Sequence, residues 1–167
     1  MTQASVQEGF HACGGTYASE HDAIVNVIDR FRVEESAGGM LFGAWADHCK
    51  IPELRGGLRV IAERESYHGR IFERRLKDLG CECRATLNDP EGSALGKCLL
   101  DPNVRDEEKL ARFNGFIGDA AVTTRPIREF GDAITDDVET KAALKLFCED
   151  EFSTISWLRQ MGDKLGA

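Results

Sequence analysis

An all-α fold built as a bundle of four long helices is what the sequence predicts, on three observations. Apolar residues recur at steps of three and four along extended stretches, the period of a helix face turned to a core. Only four prolines occur, Pro52, Pro90, Pro102 and Pro126, and they punctuate the chain into long proline-free segments. No strand signal competes, since there is neither sustained alternation nor an Asn-Gly hairpin.

Composition bounds the rest. A chain of 167 residues can bury a full core, so residues 1–167 read as one domain. With 42% hydrophobic and 30% charged residues, it is neither disordered nor fibrous. The net charge of −8 gives phosphate backbones nothing to attract, so no nucleic-acid partner is expected. The longest apolar runs, such as Gly39–Ala46, are far too short to cross a bilayer, so no membrane partner is expected either. Met1–Glu8 lacks a basic n-region and an apolar h-region, which argues against a secretory signal. A cytoplasmic location and reduced cysteines follow as expectations.

The elements follow in chain order. Residues 1–18 read as an irregular leader. Ser19, with Asp22 three residues on, offers the N-cap of a first helix over roughly 19–49. Pro52 opens the next segment, and a helical pattern over 53–79 closes at Gly80, a natural C′ residue. Residues 80–102 are rich in turn chemistry, including Asn88-Asp89-Pro90-Glu91-Gly92, and read as a long crossover. Asp101 as N-cap and Pro102 at the first position then start a third helix over 102–124, which Pro126 interrupts or restarts. Thr135-Asp136-Asp137 opens the last helix, 136–165, with acidic residues in its first turn. Short links make neighbouring helices antiparallel, and the single long crossover joins the two pairs.

Polar residues in phase with the apolar faces are the informative feature. The first helix carries the stripe Ile24, Ile28, Phe31, Glu35, Gly38, Phe42, Trp45, Cys49, with Glu35 at its middle and Glu34 out of phase. The second carries Leu54, Leu58, Ile61, Glu65, His68, Phe72, Leu76, Leu79, with Glu65 and His68 spaced i,i+3. A buried, unpartnered carboxylate costs several kcal/mol, on the order of the whole stability of a small domain. Antiparallel packing through a short link brings Glu35 and Glu65 to similar heights. There they must pair with cations, hydrogen-bond one another or hold a metal. His11, His21 and His48 read as surface residues, and Cys49 and Cys148 as small core hydrophobes. Cys81, Cys83 and Cys98 leave a thiol-based or metal site open as a third possibility.

With Glu35 and Glu65-Ser66-Tyr67-His68 in place, the chain resembles the ferritin-like, rubrerythrin-type superfamily. In that superfamily two helices each give a Glu and two each give a Glu-x-x-His around a carboxylate-bridged metal centre. The resemblance implies a ferritin-like four-helix bundle, an iron or manganese site of one or two ions, and oxidoreductase chemistry on oxygen or peroxide. It also implies pairing into a homodimer along an exposed helix face. The second half departs from the pattern. The last helix has the stripe Leu144, Phe147, Glu151, Thr154, Leu158, Met161, Leu165, in which Glu151 matches and Thr154 stands where the second His belongs. No Glu lies near position 121 of the third helix, and Asp119 is the nearest carboxylate. The implied ligand set is therefore Glu35, Glu65, His68, Asp119 and Glu151. No C-x-x-C…C-x-x-C tail is seen for a rubredoxin-type relay, and the redox partner stays unassigned. The alternative function is a non-catalytic bundle whose site has decayed and which serves as an interaction protein.

Overall fold

The computed structural model describes residues 9–167 and is mostly helical. The first eight residues of the expected leader lie outside the described residues. The rest of that leader is not irregular. Phe10–Ala12 (β1) and Gly15–Tyr17 (β2) pair antiparallel, with Phe10 opposite Tyr17. The turn between them is Cys13-Gly14, with φ of 45° and 79°. Two successive left-handed residues match the twist of a two-residue hairpin, and Asn-Gly is only its commonest spelling. Phe10 meets the edge of Phe130 at 6.3 Å, which lays the hairpin on the helices.

Helices α1 (Glu20–His48) and α2 (Pro52–Asp78) form where the periodicity predicts. Ser19 caps α1 by accepting from the Asp22 amide at 3.1 Å, and Pro52 opens α2. The two helices pack antiparallel and very closely, because glycine and serine face each other across the seam. A Cβ on Gly39 would lie 3.0 Å from the Ala62 carbonyl, and one on Gly69 would lie 3.2 Å from the Arg32 carbonyl.

The crossover holds a helix of its own, α3 (Ala94–Leu100), capped by Ser93, whose hydroxyl accepts from the Gly96 amide at 2.9 Å. Asp29 of α1 pins the irregular start of the crossover, its carboxylate accepting from the Arg84 and Ala85 amides at 2.7 Å each. Asp101 ends α3 rather than starting the next helix, and its carboxylate takes the Asn103 amide in a local turn.

The single third helix expected over 102–124 is instead two, α4 (Asp106–Ile117) and α5 (Ala120–Ala133). Gly118 breaks them with φ 77°, a conformation that costs glycine little and other residues much. The exposed carbonyls at the break are not left unpaired. Arg159 donates to the Gly118 carbonyl at 2.6 Å, and the Thr123 hydroxyl donates to the Ile117 carbonyl at 2.6 Å. Pro126 lies inside α5 and does not end it.

Helix α6 (Val138–Leu165) closes the chain, capped by Asp137, whose carboxylate accepts from the Thr140 amide at 2.9 Å. It packs antiparallel to α5 along its first half and against α4 along its second. The described residues thus form six helices, with α1–α2 and α5–α6 as antiparallel pairs, rather than the four expected. Among the described residues no helix is long and apolar enough to cross a membrane.

The buried side chains fall into two clusters. One gathers Ile24, Ile28, Phe31, Phe72, Phe130 and Phe147, and the other Phe42, Trp45, Leu58, Ile61, Leu110 and Leu158. On α1, α2 and α6 alike, the polar members of the stripes lie between the two clusters.

Candidate metal centre

Glu35, Glu65, His68 and Thr154 are all buried at this middle layer, and Glu151 is largely so. Each stands where its helix passes from one apolar cluster to the other. Helical phase carries them inward together with their neighbours Phe31, Ile61, Phe72, Phe147 and Leu158. Among the described residues, Glu35, His68 and Glu151 each offer a ligand atom, and these atoms lie within 4.8 Å of one another. His68 Nδ1 is 3.2 Å from Glu35 Oε2 and 4.0 Å from Glu151 Oε1. The Phe147 ring stands edge-on to the imidazole at 5.0 Å and forms one wall.

Glu65 faces α1 at Gly38. A Cβ there would come within 2.7 Å of Glu65 Oε2, so the absent side chain is what makes room for the carboxylate. Glu65 Oε1 and Glu151 Oε1 are buried with no hydrogen-bond partner among the described residues. Such atoms are expensive to leave unpaired.

The charges are badly matched for a closed protein interior. Burial, followed by the nearby Glu151 and Glu34 charges, pushes the Glu35 carboxyl up to about 9. Burial and the charges of Glu151 and Glu35 drive Glu65 well above the usual carboxylate range. Glu151 is raised too, by burial, although His68 and Arg64 pull against it. Three carboxyls, each raised by burial, stand beside one imidazole and form a set of hard oxygen and borderline nitrogen donors. That set can coordinate a metal ion.

Two further residues of the layer lie off the apolar stripes. Asp150 lies 3.0 Å from His68 Nε2. The tautomer that carries its proton on Nε2 donates it to Asp150 and leaves the Nδ1 lone pair facing the carboxylates. Arg64 donates to the Thr154 hydroxyl and lies 3.5 Å from Asp150 Oδ1, while its Nε is buried with no partner among the described residues. Both are one residue out of phase with their apolar stripes, so periodicity alone gave no reason to single them out.

Asp119 does not join the group. It is exposed at the N-cap of α5, where its carboxylate accepts from the Ala121 and Val122 amides at 3.0 and 3.1 Å. The chain breaks at Gly118, so Asp119 opens a helix and has its own amides to satisfy.

His11, His21 and His48 are exposed, and Cys49 and Cys148 are buried among apolar neighbours. Cys98 is buried in α3, Cys83 is exposed, and half-buried Cys81 has its sulfur 4.0 Å from His21 Nε2. None of the cysteines belongs to a three-ligand group among the described residues. No protein-family model, no curated protein and no solved structure matches the chain.

Proposed function

We propose that this protein binds iron or manganese in its interior, through Glu35, Glu65, His68 and Glu151, on a scaffold of ferritin-like kind. The observation that carries the reading is the convergence of Glu35, His68 and Glu151 ligand atoms within 4.8 Å in a buried layer. The unpartnered oxygens of Glu65 and Glu151 and the space left by Gly38 support it. When bound, either metal supplies a redox-active centre of the sort that acts on oxygen or peroxide.

The chain's own residues do the holding. Glu35 and Glu65 converge from the closely packed α1–α2 pair, so their separation is set by two rigid helices. Glu151 reaches across from α6. Asp150 orients the imidazole of His68 from outside. Phe31, Phe72 and Phe147 exclude water on one side, and Phe42, Ile61 and Leu158 do so on the other. An ion replaces protons on the carboxyls, so loading releases protons and strengthens as pH rises.

The second reading, a bundle with a decayed site that serves as an interaction protein, is favoured by one observation. Thr154 offers a hydroxyl in place of an imidazole, and Arg64 already donates to it. Metal analysis separates the two readings. Protein stripped with chelator is loaded anaerobically with Fe(II) or with Mn(II), desalted and assayed for metal. Wild type should retain metal, and Glu65→Ala and His68→Ala should each weaken binding by about tenfold or more. Retention by wild type no greater than by these variants would leave only the second reading.

A further inference from the structure

The cluster is built with an internal symmetry that is broken at one place. His68 lies three residues after Glu65 on α2, and Thr154 lies three residues after Glu151 on α6. Arg64 lies one residue before Glu65, and Asp150 one residue before Glu151. Each outer residue reaches across to the far helix. Asp150 pairs with His68 at 3.0 Å, and Arg64 pairs with Thr154. Asp150 also lies 3.5 Å from Arg64, so the two pairs sit one helical turn apart beside Glu65 and Glu151, with opposite chemistry. On one side an imidazole nitrogen faces the carboxylates. On the other stands a guanidinium, permanently positive, which draws on the charges of both Glu65 and Glu151.

We infer that this centre takes a single metal ion, and that the Arg64 guanidinium occupies the place of a second cation. The inference rests on the ion-binding reading above. Its grounds are charge and donor count. Three carboxylates in a buried layer can balance one divalent ion and one guanidinium. A second ion on the Thr154 side would find a neutral hydroxyl already engaged as an acceptor. It would also sit beside a like charge that cannot be deprotonated. Arg64 is anchored by Thr154 and by Asp150 at 3.5 Å, so it is held in the layer rather than free to swing into water. Arg64 and Thr154 thus act together, since the hydroxyl that replaces a ligand is the group that fixes the guanidinium.

The test is stoichiometry, read by calorimetric titration with Mn(II) and by elemental analysis after desalting. Manganese hyperfine structure gives a second readout, because an isolated ion and a coupled pair have different patterns. Wild type should bind one ion per chain with the isolated pattern at every loading, and Arg64→Lys should do the same. The double variant Arg64→Asp with Thr154→His should bind two and show the coupled pattern. Two ions in wild type would overturn this inference and leave the ion-binding reading standing. No ions in wild type would overturn that reading and this inference with it. A double variant with wild-type helical dichroism that still binds one ion would also overturn the role of Arg64. Should the double variant lose its helical signal, Arg64→Gln decides. A second, weaker binding step is expected there, and its absence overturns the proposal.

Discussion

Glu35 sits with its carboxyl raised to about 9, chiefly by burial and then by the charges of Glu151 and Glu34. A carboxyl whose folded value lies above its unfolded one contributes its full stability below about 4.5 and loses it as pH rises toward 9. Glu65 and Glu151 are shifted the same way, so they add to the same slope. The metal-free protein is therefore expected to lose stability steadily from pH 5 to pH 8.5. Glu35→Gln, neutral at every pH, should flatten that slope and raise the urea midpoint at pH 8. A wild-type midpoint that stayed level or rose over this window would mean that the carboxyls are not buried together as described. Asp29 and Asp137 do not confuse the result. Burial alone would raise them, but backbone amides, the Thr140 hydroxyl at Asp137 and the guanidinium of Arg32 or Arg75 outweigh it and hold both below their ordinary value, so their contribution is lost only in stronger acid. At this scale the sequence was informative wherever a polar residue kept step with an apolar stripe, as Glu35, Glu65, His68 and Glu151 do. It was silent on Arg64 and Asp150, which face the site from one position off the stripe. It misled at Asp119, where a carboxylate beside a glycine is a helix cap.

Among the elements, α1, α2 and α6 were legible because each keeps one face buried for about seven turns, long enough for a period to declare itself. Helix α3 is only seven residues and hides among turn-forming residues, and the hairpin is three residues a strand. The break between α4 and α5 depends on a single glycine and on hydrogen bonds from Arg159 and Thr123, contacts distant in sequence or invisible to periodicity. The closeness of α1 and α2 supplies a prediction whose sign depends on position. Gly56 faces open space, so Gly56→Ala should stabilise by about 0.5–1 kcal/mol through helix propensity alone. Gly39→Ala gains the same propensity but places its Cβ 3.0 Å from the Ala62 carbonyl and 3.1 Å from the Ser66 amide. Both are backbone atoms of a facing helix and cannot step aside, and overpacking of this kind costs about 1–3 kcal/mol. Thermal melts should show Gly56→Ala above wild type and Gly39→Ala below it, by about 2–4 °C per kcal/mol. Equal shifts in one direction would show that the seam is looser than the contacts imply.

The described residues form two apolar clusters separated by a layer of buried ionisable groups, and that layer is where stability and the proposed ion binding pull apart. Filling the middle with aliphatic side chains would join the clusters into one continuous core. Buried ionisable groups replaced by well-packed apolar ones of similar volume often leave a protein about 1–4 kcal/mol more stable. The triple variant Glu35→Met, Glu65→Leu, Glu151→Leu keeps the His68–Asp150 and Arg64–Thr154 pairs and removes the three raised carboxyls. In chelator at pH 8 it should melt above metal-free wild type. Adding Mn(II) should then reverse the order. A ligand at a hundred times its dissociation constant stabilises the folded state by about 2.7 kcal/mol. For a chain of this size that is roughly 5–10 °C. The variant, with its ion ligands gone, should not respond. Two melting curves with chelator and two with manganese thus test whether the layer is a cost carried for the sake of an ion. If the variant proved less stable than wild type in chelator, the carboxyls would be structural partners of Arg64 and His68. The layer would then be a polar joint between the two cores, sufficient in itself.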